Sequence, residues 1–252
     1  MTKKYELVLD DTISFWGWKL FRIRALISFG SVEVGDLGGY IQKEENLSHD
    51  DNAWVSGNAK VWGDAEVSGD AKVWGNAWVW GDAKVWGNAK VWGNAEVSGD
   101  AEVSGDAKVW GNAWVWGDAE VSGNAEVSGN AKVWGNAEVS GDAEVSGDAK
   151  VWGNAEVSGD AEVSGDAKVW GDAEVWGDAE VSELGDIIVF KNHWSSGRHF
   201  TYTKSNKMWK VGCFHGTGQE LIEKAYRDSE KSGNHYKAYV DFVESLEKLD
   251  DQ

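Results

Sequence analysis

The side chains able to do chemistry in this 252-residue chain fall into two populations. Histidine and cysteine, which serve acid–base, nucleophilic and metal chemistry near neutral pH, are confined to the flanks. His49, His193, His199, His215, His235 and the single Cys213 all lie outside residues 53–182. Tryptophan, lysine and glutamate instead recur at fixed spacing through the middle. Trp62, Trp80, Trp116, Trp134, Trp152 and Trp170 follow one another in steps of 18, with Ser98 in the one gap. Trp74, Trp92 and Trp110 form a second set at the same step, and Lys132, Lys150 and Lys168 stand two residues before three members of the first. Their chemistry is recognition: apolar indole surface and cation–π contact. These twelve residues are the candidate binding residues. No catalytic residue and no metal ligand is assigned.

The flanking groups give weaker signals. Cys213 and His215 flank Phe214 at an expected strand end, but a catalytic pair needs converging side chains and a third orienting group. A buried core cysteine is the expectation. Gly216-Thr217-Gly218 before a helix offers an anion site at a helix N-terminus, yet lacks the lysine and full glycine pattern of a phosphate loop.

The middle of the chain must position these columns. Twenty-two hexapeptides Ala-x-Val-x-Gly-(Asn/Asp) run from Ala53 to Ser182. Ala-x-Val-x alternates as a strand with one buried face does, and Gly-(Asn/Asp) supplies a corner. A strand and a corner repeated without change must coil, each turn burying its apolar side by stacking on the next. From Lys132 the units read Lys-Val-Trp, Glu-Val-Ser, Glu-Val-Ser, and the triplet recurs from Lys150. The super-period is therefore three strands, or one triangular coil. The units make about seven coils, roughly 35 Å long at ~4.8 Å per coil.

Charge and composition narrow the partners. The formal net charge is −19, and within the repeats 11 Glu and 12 Asp face 8 Lys, an excess of 15 negative charges. Such a surface repels nucleic acid and anionic membranes and favours basic protein partners or cations. One cysteine suits a reducing compartment, no apolar run reaches membrane-spanning length, and the start shows no signal peptide. The expectation is a cytoplasmic protein without a cofactor.

The repeat resembles the hexapeptide rule of left-handed parallel β-helix proteins, with an aliphatic residue followed four positions on by a small one. Left-handedness is implied by that resemblance alone. Leu20-Phe21-Arg22-Ile23-Arg24-Ala25-Leu26 and Gly35-Asp36-Leu37-Gly38-Gly39-Tyr40-Ile41, with Asn46-Leu47-Ser48, look like the N-terminal region of phage and prophage members. Gly212-Cys213-Phe214-His215-Gly216-Thr217 looks like a C-terminal module of phage-encoded proteins. The resemblance implies a mobile-element origin. Acyltransferases of the fold use a histidine base and its carbonic anhydrases three histidines; residues 53–182 hold none.

The expected architecture is mainly β. An N-terminal β cap (1–51) leads into a three-sided left-handed parallel β-helix (52–182) and a small C-terminal α+β module (183–252). In the module, residues 186–190, 198–203 and 209–214 read as strands. Thr217 caps a helix ending near Ser232 with Gly233 as its stop, and a second helix spans 235–248. Outward Trp columns lie on two faces, a Glu102–Glu174 column on the third, and an Asn58–Asn130 ladder at one corner. The expected function is a non-enzymatic scaffold or binding protein that recognises a protein partner or another copy of itself. The alternatives are an acyltransferase-like enzyme with a lost or relocated site, and an acidic nucleic-acid mimic.

Overall fold

The computed structural model describes residues 3–250. It is mainly β: a parallel β-solenoid, a small antiparallel sheet and two C-terminal helices. Strands β4 to β25 run from Trp54–Val55 to Glu180–Val181, each two to four residues long. Every third strand pairs in parallel, so three sheets form the three faces of the rod. The first face continues Lys60–Val61 and ends at Lys168–Gly171. The second runs from Trp54–Val55 to Glu180–Val181, the third from Glu66–Val67 to Glu174–Val175. Pairing is in register at the 18-residue step: Lys132, Val133, Trp134 and Gly135 lie opposite Lys150, Val151, Trp152 and Gly153.

The interior is a column of alanines and valines from Ala53 to Val181, almost all with no exposed surface. Methyl-sized groups suit the narrow triangle, and each buried valine contributes about 1.5–3 kcal/mol against leaving it in water. Glycine turns the corners for a steric reason. Gly117 sits at φ +74, and a Cβ there would approach the Gly135 nitrogen to 3.1 Å. Outside the corners, Asn58, Asn76, Asn94, Asn112 and Asn130 form the expected ladder, each Nδ2 donating to the Oδ1 one coil on at 3.0–3.4 Å. The ladder stops where Asn130 donates to Asp148 at 3.0 Å, because a carboxylate accepts but cannot pass a donor onward.

The winding has about eight turns rather than seven, because it begins before the repeat. Strand β3 (Leu37–Ile41) pairs in parallel with Lys60–Val61, placing Ile41 opposite Val61, and Leu47 bridges Val67. This first coil is two residues longer than the others. The excess lies between Leu47 and Val55, where Asp51 takes a left-handed φ of 53. Strands β1 (Tyr5–Phe15) and β2 (Trp18–Ala25) then extend the first face as an antiparallel hairpin closed by Trp16-Gly17, both at positive φ. Buried Lys4 donates to the carbonyls of Asp50, Asp51 and Ala53 at this end. Burial pulls its pKa down to about 8, against the partial rise from nearby carboxylates.

The other end is closed by side chains of the tail. Strands β26 (Ile187–Lys191), β27 (His199–Thr203), β28 (Met208–Val211) and β29 (Phe214–Thr217) form an antiparallel sheet. Thr201 Oγ1 accepts from Glu174 N at 2.9 Å, and Ser205 Oγ from Glu180 N at 2.8 Å. Helices α1 (Gly218–Asp228) and α2 (Glu230–Asp250) pack on that sheet around Phe200, Tyr202 and Trp209.

Three expectations for the tail need correction. The strand expected over 209–214 is broken by a two-residue turn at Gly212-Cys213, with Val211 opposite Phe214. Cys213 therefore sits exposed at a hairpin tip rather than in the core. Gly233 does not stop a helix: the break falls at Ser229, and Gly233 lies inside α2, where a Cβ would collide with the Tyr226 ring. The capping of α1 follows expectation, with Thr217 and Glu220 bonding each other's backbone N–H.

Candidate functional site

On the first face the indoles form two stacks separated by Ser98. Trp116, Trp134, Trp152 and Trp170 stack at centroid separations of 4.8, 4.9 and 5.5 Å with planes 2°, 3° and 15° apart. The distances are set by the coil repeat, because residues 18 apart occupy the same place on successive coils. Trp62 and Trp80 make the upper stack at 5.8 Å. On the second face Trp74, Trp92 and Trp110 stack at 4.9 Å with planes 3° and 5° apart.

The stacking decides which surface is offered. Inside each stack both faces of an indole are covered by its neighbours, so only ring edges reach solvent. Trp116, Trp134 and Trp152 are half-buried, and Trp170, last in its column, is 45% exposed. A sugar ring or other flat ligand cannot stack on an interior member.

The upper stack is not a free surface. The head hairpin lies across it: Phe15 meets Trp62 and Trp78 edge-on at 5.3 and 4.9 Å, and Trp16 meets Trp62, Trp78 and Trp80. With Leu20 and Tyr40 beneath, Trp62 keeps only 3% of its surface. Trp62 and Trp80 therefore hold the head, while the head hairpin does not reach Trp114 and Trp116 to Trp170; Trp170, at the far end, borders Ile187 and Val189 of the tail.

The lysines act differently from their sequence neighbourhood. Lys132 Nζ lies 4.9 Å over the ring of Trp114, one coil before it in its own column, and not over Trp134 two residues on. Here the contact runs along the rod axis, where the spacing is short, although Trp114 also meets Trp116 edge-on at 6.0 Å within one strand. Lys150 and Lys168 continue the column beside Trp152 and Trp170. Trp78 and Trp114 interrupt a position held by Lys or Glu in every other unit of that face, a signal in the sequence for two more indoles of this surface. Phe15 and Trp16 carried no repeat signal.

The third face is mainly acidic. Glu102, Glu120, Glu138, Glu156 and Glu174 are aligned on the third face. Burial first, and then the Glu174 charge, raise the Glu156 carboxyl above its ordinary value. Lys84 pairs with Glu102 at 3.1 Å and Lys108 with Glu126 at 2.5 Å across successive coils. His215 is packed against Gly177, with Cys213 outside on the turn. Among the described residues no group of three or more His, Cys, Asp or Glu is placed to hold a metal ion. No helix among them is long and apolar enough to cross a membrane.

No protein-family model matches this sequence, and no curated protein matches it.

Proposed function

We propose that this protein is a non-enzymatic scaffold or binding protein of the phage or prophage hexapeptide-repeat type, working in the cytoplasm. The rod holds its terminal modules apart and presents the half of the first face beyond the head hairpin to a protein partner or to a second copy of the chain. The observation that carries the reading is internal. The head hairpin already docks on this face, seating Phe15 and Trp16 against Trp62, Trp78 and Trp80. The same kind of surface continues beyond the hairpin from Trp114 to Trp170, with Lys132, Lys150 and Lys168 alongside. A partner bearing aromatic side chains on an extended hairpin would meet ring edges there, as the head does. The −19 charge disfavours direct contact with nucleic acid or anionic membrane and leaves basic proteins the favoured partners.

The test replaces Trp116, Trp134, Trp152 and Trp170 together with serine, the residue other units carry at this position. The wild type is expected to self-associate in light scattering or to retain a specific protein in capture experiments, and the variant to lose that behaviour with its β circular dichroism intact. Equal mass and equal capture for both chains would remove the proposal.

A further inference from the structure

The second-face stack ends in a place where a ring is missing. Trp74 is covered on one side by Trp92. On its other side the column continues to Ser56, whose N–H donates to Val73 O at 2.9 Å and fixes it one coil before Trp74. A hydroxymethyl group cannot cover an indole, so that face of Trp74 borders a cavity of about 350 Å³. The opposite wall is a tight turn of the head. Phe29 and Val32 exchange both backbone hydrogen bonds, at 3.0 and 2.8 Å, with Gly30 in the left-handed region between them. Trp54, almost fully buried, closes the base and meets Phe29 edge-on at 5.4 Å. The turn is therefore braced and does not fall into the gap.

The rim is polar and carries both signs. Asp70 accepts from Asn52 Nδ2 at 2.6 Å, which fixes its carboxylate at the mouth. Lys72 stands beside it, exposed, as the first residue of the strand Lys72–Val73. Ser31 and Ser56 add hydroxyls that donate or accept. The walls thus ask for a flat ring, and the rim for an edge with both donors and acceptors. The neighbouring acidic residues Asp50, Asp51 and Asp70 disfavour a phosphate.

We propose that this gap is a binding site for a small planar heteroaromatic ring of nucleobase type, without phosphate, which takes the place of the missing indole and extends the Trp74–Trp92–Trp110 stack. The site is separate from the first-face surface and uses none of its residues. One coil spacing of ~4.8 Å lies within the 4.5–7 Å range of stacked aromatic pairs. The volume lies within the range of small-molecule pockets.

Calorimetric titration of the full chain with adenine, cytosine and nicotinamide tests it. At least one ring should bind saturably with unit stoichiometry. Ser56→Trp, which supplies the indole that Trp74 has in its own column, should abolish binding with circular dichroism unchanged. Trp74→Ser should weaken binding about tenfold, the scale of one base–aromatic stack. The variant with the four first-face tryptophans replaced should bind as the wild type does. Absence of saturable binding by all three rings, or binding that survives in Ser56→Trp, would overturn the assignment.

Discussion

Glu156 shows how a single side chain is set by the coil repeat. Its carboxyl is raised first by burial and then by the charges of Glu174 and Glu138, with Lys210 acting the other way. A carboxyl with a folded-state pKa above its unfolded value binds more protons in the native state, so stability falls as pH rises through that interval. The ordinary glutamate value of 4.5 marks its lower end. The urea midpoint of the wild type should therefore rise as pH is lowered from neutrality towards that value, and Glu156→Gln should start higher at neutral pH and respond less. An equal pH response in both chains would show that Glu156 is unperturbed. Glu96, raised by burial alone, contributes in the same direction. At this scale much was readable in advance. Ala, Val and Gly recur where the backbone demands methyls inside and positive φ at corners, and those demands are local. The partner of Lys132 was not readable, because it lies a full coil away at Trp114 and not beside Trp134. Nor was the exposure of Cys213, which depended on a two-residue turn hidden in an apparently continuous strand.

The repeat strands are two to four residues long, far too short to stand alone, and owe their existence to neighbours on both sides. The indole columns add to this. Trp134 is stacked on both faces and Trp170 on one. Aromatic pairs are worth about 0.5–1.5 kcal/mol each, so Trp134→Ser should cost about 1–3 kcal/mol and Trp170→Ser about half as much. Urea unfolding followed by circular dichroism would measure both, and equal costs would mean that stacking contributes little. The elements that sequence pattern handled least well were those outside the repeat. Strand β3 winds as a repeat strand without matching the Ala-x-Val rule, since Ile41 and Leu47 fill interior places in a wider first coil. The head hairpin folds onto Trp62 through Phe15 and Trp16, two residues with no periodic partner.

At the scale of the molecule, the three-strand period makes a strong demand on chain length. Removal of Glu138–Ala155, one full coil, joins Ala137 to Glu156. It leaves Trp134 above Trp170, and Asn136 able to donate to Asp172 as Asn154 now does at 2.8 Å. That chain should fold, shortened by about 4.8 Å, with a melting temperature close to the parent's. Removal of only Glu138–Ala143 keeps the interior pattern but turns every later side chain onto the next face. The Trp134–Trp152 stack is then lost, because Trp134 comes to lie above Ser158, at a cost of about 0.5–1.5 kcal/mol, and the tail is rotated relative to the head. Scattering and thermal melts of the two variants distinguish these outcomes; indistinguishable chains would mean that the outer columns do not matter. The triangular winding could be read from the 18-residue variation, whereas the position of the tail could not, because Thr201 and Ser205 close the last coil through contacts no repeat encodes.

The wider first coil has a consequence for how the chain finds its phase. A segment of the middle that pairs one unit out of step still hides alanine and valine, and a slip by a whole coil between Lys132 and Trp170 places like upon like. The interior alone therefore discriminates poorly among threadings of the same thread. Only the non-repeating ends break the tie: the head hairpin seats Phe15 and Trp16 on Trp62, Trp78 and Trp80, a grouping of indoles that recurs nowhere else in the repeat. Such a molecule should be most vulnerable to misthreading not when its middle is altered but when the bolt at its starting end is drawn.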